Sequence, residues 1–135
     1  MRLLVLATDP VGADDVRRAL PRDGDVEGAE VLVVSPAVNE SPLAFWVSDS
    51  DEAIAEAEST AEQTAAALRE AGARTARATT GESEPLQALE DALATYRADR
   101  ILVFVRPEDR ARYREDDVLG EAERRFGLPV SEVVR

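Results

Sequence analysis

The sequence predicts a single α/β domain: a five-stranded, mainly parallel sheet with helices on both faces. Three observations lead there. Four apolar runs recur at similar intervals, Leu3–Ala7, Glu30–Val34, Arg74–Ala78 and Ile101–Val105, and a fifth, Leu128–Val134, closes the chain. Segments with helical spacing separate them, and strand–helix alternation is how parallel sheets are built. The first, second and fourth runs are near-continuous Val, Leu and Ile, as strands covered on both faces must be. At 135 residues the chain suits one domain, 1–135, able to bury a core without disulfide or metal staples.

Each element has its own justification. Asp14–Leu20 puts Val16 and Leu20 on one side of a short helix that stops before Pro21. Asp51–Ala71 is the clearest helix, with Ile54, Ala57, Ala61, Ala65 and Leu68 recurring at three- and four-residue steps. Ser48 or Ser50 offers it a cap, acids occupy its first turn, and Gly72 follows its end. Arg74–Ala78 alternates polar and small residues, which suits an edge strand. Glu84–Arg97 sets Leu86, Leu89, Leu93 and Tyr96 on one face, with Ser83 as the expected cap. Asp117–Phe126 begins with acids, ends on Arg124-Arg125, and is stopped by Gly127 and Pro129. The one long irregular connection, Pro36–Val47, carries Leu43-Ala44-Phe45-Trp46-Val47. It either folds back over the sheet edge as a flap, or is an exposed lid or a patch that presents Phe45 and Trp46 to an unknown protein partner.

Composition removes several kinds of chemistry. The chain has no cysteine, which excludes disulfides, thiolate metal sites and cysteine nucleophiles. It has no histidine, which removes the commonest general base and metal ligand. A formal charge of −12 opposes binding of nucleic acid or anionic membrane through bulk electrostatics. All 16 basic residues are arginine, which favours fixed, planar ion pairs. Leu3–Ala7 is too short for a signal-peptide core or a membrane span, so the expected location is the cytoplasm.

Three passages, in order along nearly the whole chain, carry local signatures of a known family. The first is the opening strand ending in Thr8-Asp9. The second is Arg77-Ala78-Thr79-Thr80-Gly81-Glu82-Ser83-Glu84-Pro85-Leu86-Gln87-Ala88-Leu89, continuing through Asp99-Arg100-Ile101-Leu102-Val103. The third is Phe126-Gly127-Leu128-Pro129-Val130-Ser131-Glu132-Val133-Val134, and together the three resemble the universal stress protein family. The resemblance implies a Rossmann-like sheet of order 3-2-1-4-5 with a ligand crevice at the carboxyl ends of strands one and four. It also implies that the aspartate after strand one, here Asp9, contacts the adenine and ribose side of a nucleotide. A glycine-rich loop after strand four holds the phosphates in nucleotide-binding members. Here that strand runs into Arg106-Pro107-Glu108-Asp109-Arg110, and Gly120 and Gly127 are the only later glycines. The chain resembles the branch lacking the ATP motif, and no cofactor is expected.

The candidate ligand site comprises Thr8, Asp9, Ser35, Gly81, Ser83, Arg106 and Arg110. Arg106 leaves strand four beside Asp9 in this strand order, and an ion pair between them would fill the crevice with the protein's own charges. The competing reading makes Arg106, Arg110, Arg112 and Arg114 an anion-binding cluster, since arginine grips phosphate through forked hydrogen bonds. Glu108, Asp109, Glu115, Asp116 and Asp117 nearly balance that charge. Catalysis is not expected. Asp9 with Glu82 is the only carboxylate pair expected to share the crevice, and Ser83 lacks the partners of a nucleophile elbow. Asp14-Asp15 and Asp49-Asp51-Glu52 lack the glycine turn and spacing of a calcium loop, so no metal is expected.

The terminal strand is the expected contact surface. At a sheet edge it offers unpaired backbone groups, and an isologous dimer would cover them. The resemblance implies antiparallel pairing of this strand across a two-fold axis, with Leu128, Val130, Val133 and Val134 at the interface.

Overall fold

The structure, a computed structural model, describes residues 1–19, 26–37, 50–82, 84–105 and 117–134. Its elements are β1 (Arg2–Ala7), α1 (Ala13–Ala19), β2 (Glu30–Pro36), α2 (Ser50–Glu70), β3 (Thr75–Gly81), α3 (Pro85–Leu93), β4 (Arg100–Val105), α4 (Val118–Phe126) and β5 (Val130–Val134). The five strands form one sheet of order β3-β2-β1-β4-β5, and every pairing is parallel. This is the predicted α/β, Rossmann-like architecture, with β3 and β5 at the two edges.

Continuous apolar runs became the central strands because both faces are covered. Leu3 through Ala7 are all fully buried, as are Ile101, Leu102 and Val103. Alternate residues feed two cores. Leu3, Val5, Val31, Val33 and Phe104 pack with residues of α1 and α2, while Leu4, Leu6, Val34, Ile101 and Val103 pack with those of α3 and α4. Burying one such side chain is worth about 1.5–3 kcal/mol, so the sheet centre supplies much of the folding drive.

Several boundaries differ from the sequence reading, each for a local reason. β3 continues past Ala78 to Gly81 because Thr79, Thr80 and Gly81 stay in register with Val34, Ser35 and Pro36. α3 stops at Leu93 rather than Arg97, and Tyr96 is buried just beyond it. Its cap is Glu84 rather than Ser83: the Glu84 carboxylate accepts the Leu86 amide at 3.1 Å and the Gln87 amide at 2.7 Å. In α2 the expected stripe holds at Ala57, Ala61, Ala65 and Leu68 but not at Ile54. Ile54 is 41% exposed, and Ala53, Ala57, Thr60, Ala61, Thr64, Ala65 and Leu68 face the sheet. α2 is described from Ser50, and Ser48, the other candidate cap, lies outside the described residues. The helix ends as expected, with Gly72 at φ +119 and the Ala73 amide bonded to the Leu68 carbonyl.

No described helix is long and apolar enough to cross a membrane.

Candidate functional site

Five parallel strands present their carboxyl ends at one rim, and the strand order reverses between β1 and β4. Chains leaving two such strands diverge to opposite faces and open a crevice between them. The register places the candidate residues on that rim. Ala7 lies opposite Phe104, so Thr8-Asp9 leaves β1 beside the end of β4. Leu6 lies opposite Val34, which sets Ser35 next to Ala7. Ser35 pairs with Thr80, and Pro36 with Gly81. Thr8, Asp9, Ser35, Thr80 and Gly81 therefore share one rim. Ser83, Arg106 and Arg110 lie outside the described residues, as do the Asp9–Arg106 ion pair and the Phe45-Trp46 run.

Two of these residues have a packing role in the fold. Ser35 is 1% exposed and points with Val31 and Val33 toward the α1–α2 layer. Its Oγ has no hydrogen-bond partner among the described residues. Thr64 of α2, fully buried in the same layer, is satisfied: its Oγ1 accepts the Val11 amide at 3.2 Å. Gly81 is a contact point. A Cβ there would stand 2.7 Å from the Ala88 Cβ and 3.2 Å from Val34 Cγ2. Its lack of a side chain lets α3 lie against β2 and β3, so close helix packing accounts for this glycine.

The carboxylate pair considered for acid–base chemistry is spread out. Asp9 follows β1 and Glu82 follows β3, with β2 between them, so two strand spacings of about 4.8 Å part their backbones. Among the described residues no group of three acids could hold a metal ion.

The sequence reading missed a groove along β3. It measures about 1210 Å³ and is lined by Leu32, Val34, Arg77, Thr79, Asp91 and Tyr96, among others. The signal was present in the small residues of Thr75-Ala76-Arg77-Ala78-Thr79-Thr80-Gly81, which cannot fill the space beside an edge strand. At one end of the groove the Tyr96 hydroxyl donates to the Glu30 carbonyl at 3.0 Å. Burial pushes the Tyr96 phenol above its ordinary value and the Glu30 carboxylate adds to the shift, while Arg2 and Arg77 oppose it.

The candidate interface residues divide between core and edge. Val133 is buried in the chain's own α1–α2 core, and Leu128 and Val130 pack partly against the α3–α4 core. The side chain of Val134 lies outside the described residues. The β5 backbone remains on the edge of the sheet. Comparison with protein-family models and with curated proteins finds no match for this chain.

Proposed function

We propose that this chain is a cytoplasmic, non-catalytic homodimer of universal stress protein type that does not bind ATP. The supporting observation is the reversal of strand order between β1 and β4, which puts the crevice where β4 leads into Arg106-Pro107-Glu108-Asp109-Arg110. A polyphosphate needs close backbone approach at that point, and only glycine allows it without obstruction. The absence of histidine and cysteine, together with the separation of Asp9 from Glu82, supports a non-catalytic role.

Pairing of two copies along β5 is the proposed assembly. The Ile101 amide donates to the Pro129 carbonyl, so backbone groups of Val130, Glu132 and Val134 alternate to the outside. The Glu123 carboxylate takes the Val130 amide at 3.4 Å, at the start of that edge.

Native mass spectrometry with and without added ATP tests both parts. A bare dimer that takes up no nucleotide is expected. A co-purified nucleotide, or ATP uptake lost on Arg110→Ala, would instead favour an arginine-based anion site. In light scattering Glu132→Pro should yield a monomer. A wild-type species of 14.6 kDa at every concentration would eliminate the dimer.

A further inference from the structure

We propose that the outer edge of β3 docks an extended segment of a partner protein in which apolar and basic residues alternate. This surface lies at the opposite edge of the sheet from β5 and is independent of the function proposed above.

The backbone of β3 is oriented for strand addition. The Gly81 carbonyl faces β2, where it accepts the Ala37 amide at 3.1 Å. The Ala76 carbonyl faces outward and takes Nη1 of Arg69 at 2.6 Å. Backbone groups alternate along a strand, so Ala78 and Thr80 face outward with Ala76. Arg69 therefore guards the start of the edge, and among the described residues nothing is bonded to the outward Ala78–Thr80 stretch except through the Thr79 hydroxyl, so that stretch is where a new strand would add. Among the described residues the Thr80 carbonyl takes only a long 3.4 Å bond from the Thr79 hydroxyl.

Two grooves flank that stretch. The 1210 Å³ groove has an apolar floor of Leu32, Val34, Ala88 and Ala92. A second groove of about 290 Å³, beside Glu58 and Glu62 of α2, shares Ala78, Thr79 and Thr80 with it. An added strand sends successive side chains to opposite faces. One set then enters the apolar groove while the other runs beside Glu58 and Glu62. Among the described residues Glu82 and Asp91 line the larger groove against a single Arg77, so the two grooves together favour basic side chains. The alternation of apolar and basic residues follows from those two walls.

A capped hexapeptide alternating valine and lysine, titrated calorimetrically into the full chain at low salt, tests the idea. Saturable one-to-one binding is expected. Glu58→Lys/Glu62→Lys should weaken it at least about tenfold, a change of about 1.4 kcal/mol. Ala78→Pro, which removes an outward amide without touching the β2 ladder, should abolish it. A peptide of the same composition arranged in blocks should bind at least about tenfold more weakly, because only strict alternation fits both walls. Circular dichroism checks that each variant is folded; if Ala78→Pro is not, the charge-reversal pair still decides. The proposal is overturned if wild-type protein shows no saturable binding, whether a second copy or another segment of this chain holds the edge. It is also overturned if Asp14→Lys/Glu121→Lys, on α1 and α4, weakens binding as much, since the attraction would then be diffuse.

Discussion

Gly81 and Ala88 meet so closely that a methyl group on the glycine would stand 2.7 Å from the alanine Cβ. One neighbour is the end of an edge strand and the other lies in the second turn of α3, and neither contact atom is the tip of a flexible side chain. Gly81→Ala should therefore push α3 away from β2 and β3, at a cost of about 1–3 kcal/mol. Urea unfolding would register this as a lower midpoint with an unchanged slope. Adding Ala88→Gly should return part of the loss, less about 1 kcal/mol for glycine within a helix. An unchanged midpoint in Gly81→Ala would mean that the rim yields freely.

Two buried hydroxyls in one layer should respond in opposite directions. Thr64 Oγ1 accepts the buried Val11 amide, so Thr64→Val leaves that amide unsatisfied at a cost of about 1–3 kcal/mol. Ser35 Oγ has no partner among the described residues, and Ser35→Ala removes a desolvated hydroxyl. That change should be neutral or stabilising by up to about 1 kcal/mol. Thermal melts of the two variants side by side decide the matter. A marked loss in Ser35→Ala would show that the hydroxyl is engaged.

The sheet was legible in the sequence because its central strands are buried on both faces and leave no choice of residue. Leu3–Ala7 and Ile101–Val105 had to be apolar throughout, and they are. Helix faces were less legible where alanine dominates. In α2 the spacing located Ala57, Ala61, Ala65 and Leu68 but did not choose between Ala53 and Ile54 one turn earlier, and packing against β2 and β3 selects Ala53. The candidate site was legible only as a rim. Strand register brings Thr8, Asp9, Ser35 and Gly81 to it, but sequence spacing does not reveal that Ser35 points into a core or that Gly81 is pinned by a helix. The β3 groove was missed because it is made by what small side chains leave unfilled.

Glu84 holds the start of α3 alone among the described residues. Its carboxylate takes two amides that the helix leaves without intrahelical acceptors, while Pro85 supplies the next position with no amide to satisfy. Glu84→Ala should cost about 0.5–2 kcal/mol, and Glu84→Asp, whose shorter carboxylate suits this position, should retain most of it. Hydrogen exchange at Leu86 and Gln87 would localise the effect. Equal exchange in wild type and Glu84→Ala would refute the capping role.

Tyr96 ties the turn after α3 to the first residue of β2, and it carries a pH dependence with a definite sign. Burial, helped by the Glu30 carboxylate, favours the neutral phenol and raises its pKa above the ordinary value of 10.0. The folded chain then holds the proton at pH values where the unfolded chain has begun to lose it. This contribution is complete below pH 10.0 and is lost as pH rises through the higher folded-state value. Tyr96→Phe removes the hydrogen bond to the Glu30 carbonyl, so it should cost about 1 kcal/mol at neutral pH. The same change should flatten the decline in melting temperature above pH 10.0, because no phenol remains to ionise. Melting curves from pH 8 to pH 11 would show the wild-type and variant lines converging at the alkaline end. Parallel lines across that range would mean that Tyr96 ionises as readily in the folded chain as in the unfolded one.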